Sequence, residues 1–295
     1  MADAGSYIFL QKLPMGDFQK LNKLALITGA TGGIGLSFAT HLAAEGYDLV
    51  ITGRNSRKLN EIAANLNVNN AGINIDAIQA DLSLAADIAS LAKYAEQLEH
   101  IDMLVNCAGY GERCLFIDEP EHEILDMLSV HITATVQLVH AVLPRMVKNH
   151  SGAIITVSSL AAFVPAPGST IYASSKAFLN TFMESLHMEV HQYGIKVQSL
   201  CPGPTHTDFH KGASPAQSVS GIDLWMKPDE VVNISLRALE NDEVVCVPGS
   251  MNKVIKNLTS LLPRTPYYRL TEKLAKKYRQ EDGLDNLPNT SGEPA

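Results

Sequence analysis

Leu24-Ala25-Leu26-Ile27-Thr28-Gly29-Ala30-Thr31-Gly32-Gly33-Ile34-Gly35 is the stretch that decides the fold. Leu24 to Ile27 reads as a short apolar strand, and the glycines at 29, 33 and 35 permit a tight turn with a bare backbone. The helix beginning near Ile34 points its free N–H groups at whatever anion sits in that turn. A strand, a glycine turn and a helix start in this order predict a pyrophosphate site. The spacing is G-x-x-x-G-x-G, so Gly29, Thr31, Gly33, Ile34 and Gly35 are the candidate contacts.

Outward from that turn, strand and helix signals alternate without a break. The first helix should end near Gly46, a C-cap residue, and a strand should follow at Leu49–Thr52. A helix over 56–66, a strand over 73–79, a helix over 85–98 and a strand over 103–105 complete a βαβαβ half. The second half predicts a long helix over 121–147, a strand over 153–157, and a helix from about Tyr172 to before Gly194. Strands over 196–200 and 243–247 flank a helix opened by Pro228-Asp229-Glu230, with proline and acids suited to its first turn. This pattern predicts an α/β fold: one doubly wound Rossmann-type parallel sheet of about seven strands, helices on both faces, and a ligand crevice at the strand C-termini.

Residues 1–22 are aperiodic and read as an N-terminal arm, 23–250 as the sheet domain, and 204–227 as a lid within it. Residues 251–280 carry eight Lys/Arg against one acid, a net +7 that leaves −15 for the rest of the chain. Leucines at 258, 261, 262, 270 and 274 run through this segment, so 251–295 reads as a basic amphipathic extension. A tail that docks its leucines on the body or on a partner subunit and leaves its lysines in water is favoured over contact with an anionic membrane. Prolines at 263 and 266 predict two short helices there instead of one.

The net charge of −8 disfavours nucleic acid as a partner, which calls for a basic surface. The four cysteines have no zinc-ligand spacing, and His187 and His191 lack a third ligand, so no metal is expected. No basic region followed by an apolar run opens the chain, and a cytoplasmic location with buried, reduced cysteines is the expectation.

Tyr172 and Lys176 stand four residues apart, and Ser159 lies thirteen residues before the tyrosine. With the glycine turn, Asn106-Cys107-Ala108-Gly109 and Pro202-Gly203, these residues make the chain resemble the short-chain dehydrogenase/reductase family from about Leu24 to about Pro248. The resemblance implies a nicotinamide cofactor and hydride transfer at a carbonyl or alcohol. Asp81 and Leu82 resemble its adenine contact, though an Asp here could also N-cap the next helix. Asn106, Ala108 and Gly109 resemble the turn that carries the ribose. Pro202, Gly203, Thr205 and Thr207 resemble the segment covering the nicotinamide. An NAD enzyme usually places an acid at the end of strand two, but Gly53 and Arg54 stand there instead. A guanidinium pairs with a 2′-phosphate, so NADP is the expected cofactor.

Tyr172 is the expected acid and Lys176, one helical turn away, favours its phenolate. Ser159 would hold the substrate oxygen, and Lys176 could also bind the nicotinamide ribose, as in the family. Many members carry an Asn in the long helix where this chain has His131, a residue able to relay protons. The Ile154–Phe178 stretch resembles acyl and 3-oxoacyl reductases, which implies a 3-oxoacyl or other lipid-like carbonyl. A steroid, retinoid or xenobiotic carbonyl reductase is the rival enzyme reading, and a weakly active cofactor-binding regulatory protein is the other. Phe116, Phe163, Phe209 and Trp225 are candidate pocket residues. The family often pairs its long helices between subunits, and here their centres are rich in Leu138, Val139, Val142, Phe178 and Phe182, which implies a homodimer or homotetramer.

Overall fold

The computed structural model describes residues 22–111, 114–207, 225–263, 265–269 and 271. Nearly all of the expected N-terminal arm, most of the expected lid (including Phe209 and His210) and the end of the basic tail lie outside the described residues. A seven-stranded, all-parallel sheet has the order β3-β2-β1-β4-β5-β6-β7. Its strands are β1 (Leu24–Thr28), β2 (Asp48–Gly53), β3 (Ile75–Gln79), β4 (Met103–Asn106), β5 (Gly152–Val157), β6 (Ile195–Leu200) and β7 (Val245–Cys246). The order runs outward from β1 in both directions. The switch point between β1 and β4 opens a crevice at their C-terminal ends, where ligands bind in such sheets.

Side-chain alternation along β1 builds both faces of the core. Leu24 and Leu26 join one apolar cluster, while Ala25 and Ile27 join the other. The first cluster takes in Ile88 and Leu91 of α3 (Ala85–Gln97), Leu138 and Val142 of α5 (Ala134–Asn149), and Met183 of α6 (Thr170–Val190). The second takes in Phe38 and Leu42 of α1 (Gly33–Ala44), Leu59 of α2 (Ser56–Asn69), and Val231 of α7 (Pro228–Glu240). Helices thus cover both faces, and the central strands β1, β2 and β4 are buried along nearly their whole length.

The expected long helix is present but not uniform. α4 (Glu121–Leu128) passes through a π-helical turn at Ser129–Thr133 into α5. Pro144 lies inside α5, and His150 closes it in the left-handed region at φ 50°. Asp48, at the N-terminal end of β2, is fully buried and accepts from Asn74 N at 2.7 Å and Asn22 Nδ2 at 3.0 Å. Its carboxylate therefore ties loops at the sheet's opposite end, far from the crevice.

The tail divides as its prolines predict: α8 (Ser250–Leu261) stops before Pro263, and helix resumes at 265–269. Within the chain, α8 does not dock through Leu258 and Leu261. Asn252 is buried, Ile255 lines the crevice and Lys256 Nζ lies 5.1 Å from the Phe163 ring centroid. Leu258 and Leu261 are 55% and 81% exposed, in line with exposed Met251 and Val254. The polar Asn252 fits beneath Gly203, and that fit turns the apolar stripe outward.

Candidate active site

The glycine turn is shaped by three close approaches. A Cβ on Gly29, itself at φ 68°, would stand 2.8 Å from Ala108 Cα, so β1 and β4 can meet only over a bare backbone. A Cβ on Gly35 would overlap the Gly29 carbonyl, which fixes how tightly α1 leaves the turn. Gly33, at φ 55°, faces the Thr207 side chain at 2.9 Å from its would-be Cβ. Thr28 Oγ1 accepts from both Cys107 N and Ala108 N at 3.0 Å and locks the two strand ends together.

Around this turn lies a cleft of about 710 Å³, within the ~300–1,000 Å³ range of small-molecule sites. Gly29, Thr31, Gly33 and Ile34 line one part of it, Arg54, Asp81 and Leu82 another, and Ala108 and Gly109 the floor. Ser159, Tyr172 and Lys176 line it too, as do Pro202, Gly203, Thr205 and Thr207, the last packed against Gly33. A phosphate-bearing dinucleotide fits these residues. Bare amides sit at the α1 N-terminus, and the cationic side chains of Arg54 and Lys58 border the cleft beside that turn.

Two expected contacts sit differently, and a third keeps its place with another local role. Gly35 shapes the turn without lining the cleft. Asn106 is buried behind it and donates to Thr156 Oγ1 at 3.3 Å, so β4 uses this side chain to grip β5. Asp81 lines the cleft but is not the N-cap of α3, which is Leu84. Its carboxylate accepts from Ser83 N and Ser83 Oγ and closes the turn before that helix.

Ser159 ends the segment after β5, and its Oγ accepts from Ala161 N at 3.1 Å. Tyr172 and Lys176 project from the first turns of α6, with Lys176 Nζ 5.7 Å from the Tyr172 ring centroid. The ammonium donates to Val157 O at 3.0 Å, and Ser158 Oγ donates to Lys176 O at 2.9 Å. Both bonds clamp α6 to the end of β5. Burial pushes Tyr172 up to about 12, against a hydrogen bond with Ser159 that draws it down. Burial also lowers Lys176 to about 8, opposed by charge at Cys107 and Cys201. A neutral phenol thus faces the cleft beside an amine poised near physiological pH.

His131 is buried in the π-helical turn behind these residues and does not line the cleft. Tyr110 N donates to its Nε2 at 3.2 Å, and its Nδ1 lies 2.9 Å from Ser175 Oγ. The ring also stands edge-on to Tyr172, with centroids 5.8 Å apart.

Four contributors had no sequence signal strong enough to single them out: Thr28, Ser158, Tyr110 and Ser175. Lys58 carried one, its place near Arg54, and it lines the cleft, whereas Arg57 is exposed and pairs with Glu61 at 2.9 Å. Of the candidate pocket aromatics, Phe116 is exposed, Phe163 supports Lys256, and Trp225 stacks on His206 at 5.1 Å. Among the described residues, Leu160, Val164 and Ile255 are part of the apolar lining. None of the four cysteines forms a disulfide, and Cys107 and Cys114 are half-buried where full burial was expected. No group of three or more His, Cys, Asp or Glu residues among the described residues could hold a metal ion.

The profile of the family described as short chain dehydrogenase matches residues 23–218. A very-long-chain 3-oxoacyl-CoA reductase of Mus musculus is 28% identical over 264 residues, 88% of this chain and 82% of that protein. A short-chain dehydrogenase from Sphingobium yanoikuyae, solved with NADPH, aligns with a TM-score of 0.71 at 29% identity. That alignment covers 92% of this chain and 99% of the other. The bulky-bulky ketone specific alcohol dehydrogenase from Comamonas testosteroni aligns with a TM-score of 0.68 at 26% identity, covering 92% and 97% of the two chains.

Proposed function

The chain belongs to the short-chain dehydrogenase/reductase family, and from that premise we propose that it uses NADP(H) to interconvert a lipid-like carbonyl, such as a 3-oxoacyl thioester, with its alcohol. The observation that carries the reading is the convergence of Ser159, Tyr172 and Lys176 in one cleft with the glycine turn. When bound, the nicotinamide supplies the hydride. Ser159 holds the carbonyl oxygen, and Tyr172 gives that oxygen its phenolic proton. The Lys176 ammonium then stabilises the phenolate left behind. Leu160, Val164 and Ile255 exclude water from the substrate end and suit an acyl chain. The 3-oxoacyl-CoA reductase among the relatives supports that class, and the bulky-ketone dehydrogenase keeps a cyclic carbonyl as the alternative. The test is NADPH oxidation with a 3-oxoacyl-CoA series beside cyclic ketones. Faster turnover of the acyl series is expected, and turnover of neither class would overturn the reading.

Two surfaces bear on partners. Of the apolar residues at the centres of the two long helices, Leu138, Val139 and Val142 are buried in the core, whereas Phe178 and Phe182 are not fully buried. Leu125 on α4 with Phe178 and Met188 on α6 stay exposed, and Phe178 stacks on Phe182 at 6.0 Å. These exposed apolar side chains support a homodimer or homotetramer, to be read as a solution mass at micromolar concentration; a strict monomer would exclude it.

The outward stripe of α8 fits docking on a partner subunit, the reading the sequence favours, and leaves contact with an anionic lipid surface as the alternative. Basic side chains near such a surface contribute on the order of 1 kcal/mol each, screened by salt. Vesicles containing anionic lipid should sediment the full chain at low salt, and a Leu258→Glu/Leu261→Glu variant much less. Equal sedimentation of the two would remove the stripe from any membrane role.

A further inference from the structure

The buried ring of His131 has only one consistent protonation. Tyr110 N–H points at Nε2, so that nitrogen must carry its lone pair. Ser175 Oγ donates its single proton to Tyr172 O at 2.8 Å, so toward Nδ1 it can act only as an acceptor. Nδ1 therefore bears the hydrogen. Every polar atom of the imidazole is then engaged, one end on the Gly109–Tyr110 turn and the other on the first turns of α6.

We propose that His131 is a positioning residue, an Nδ1–H clamp joining the cofactor-side turn after β4 to the Tyr172–Lys176 segment, and not a proton shuttle. The proposal rests on the catalytic reading of Tyr172 and Lys176 given above. A shuttle must release a proton from one nitrogen and collect one at the other. Here Nε2 faces an amide donor that cannot give up its hydrogen, and Nδ1 faces a hydroxyl already committed to a carbonyl.

The surroundings oppose a second proton on the ring. Burial holds His131 well below the ordinary imidazole range, and the nearby charge of Lys176 acts in the same direction. The aromatic neighbours from other elements are Tyr110, with centroids 5.9 Å away, and Tyr172, which presents a neutral phenol. Close approach requires Gly109, where a Cβ would lie 3.0 Å from His131 Nε2 and 3.5 Å from Lys176 Nζ. The π-helical turn supports the ring from its own side, and Thr135 Oγ1 donates to the His131 carbonyl at 2.8 Å. The edge-on contact of the imidazole then limits where the Tyr172 ring can swing.

The test combines a spectroscopic and a kinetic arm. In the full-length protein, 15N imidazole shifts, assigned by loss of the His131 signals in His131→Asn, should show a neutral Nδ1–H ring from about pH 5 to 8. A ring that titrates inside that window, or an Nε2–H tautomer, would overturn the clamp.

In the kinetic arm, His131→Leu removes both bonds and should lower kcat on the order of 10–100-fold, with KM for NADPH changed far less. His131→Gln keeps an acceptor within reach of Tyr110 N–H, and His131→Asn keeps a donor toward Ser175; each should recover part of kcat. Neither amide can shuttle protons, so a loss in both equal to that of His131→Leu would favour the relay and sink the clamp. If the wild-type protein reduces no carbonyl, the functional reading fails, and the 15N arm still decides the state of the ring.

Discussion

Tyr172→Phe should lower carbonyl reduction by about 10²–10⁴-fold, the contribution of a positioned general acid, while NADPH binding stays near the wild-type level. The substitution deletes a proton donor that burial holds neutral at the cleft and keeps the ring that stands against His131. Volume and packing are preserved, so a thermal melt should move little, and the loss should fall on kcat. The pH dependence follows from Lys176. Its amine is lowered to about 8, so the ammonium that stabilises the phenolate is present below that pH and lost above it. Reduction should therefore fall as pH rises through about 8, whereas Tyr172 stays protonated across the whole range. Stopped-flow reduction with saturating NADPH and fluorescence titration of cofactor binding would check both halves. Near-normal turnover in Tyr172→Phe would end the proposed proton path.

The parts of this site that local chemistry dictates were legible in the sequence. A glycine at a strand end, two side chains four apart on a helix and a serine after a strand need only short-range geometry. What depends on packing between distant segments was not. His131 and Ser175 are 44 residues apart and meet only because α6 crosses the long helix at its π-helical turn. That turn leaves no mark in the hydrophobic period. The leucine spacing of α8 implies an amphipathic helix but not which face docks, and the polar Asn252 beneath Gly203 settles that. Asn106 shows a different limit. Its motif places the backbone of Ala108 and Gly109 at the cleft, while its own side chain turns back to hold β5. The last strand is shorter than the apolar run implies because only Val245 and Cys246 pair with β6.

Arg54→Ala should weaken NADPH by about 1.5–3 kcal/mol, the range for a hydrogen bond to a charged group, and leave NADH nearly unchanged. The end of β2 is built against the alternative. A Cβ on Gly53 would stand 2.8 Å from Thr31 Cγ2, so an acid there would collide with the glycine turn as well as repel a phosphate. Gln79 Nε2 donates to the Arg54 carbonyl at 3.0 Å and fixes the backbone from which the guanidinium extends. Lys58 approaches from the first turn of α2, its Nζ 4.0 Å from the would-be Cβ of Gly32. Two cations thus border one end of the cleft with no acid at the strand end. Both are exposed, and the attraction between Lys58 and a phosphate is screened by water and salt. Lys58→Ala should therefore cost less than Arg54→Ala, whose planar guanidinium can grip a phosphate through two parallel bonds. Dissociation constants for NADPH and NADH across both variants, at two salt concentrations, separate these contributions. If Arg54→Ala weakened the two cofactors equally, the guanidinium would be supporting the turn, and the 2′-phosphate assignment would fall.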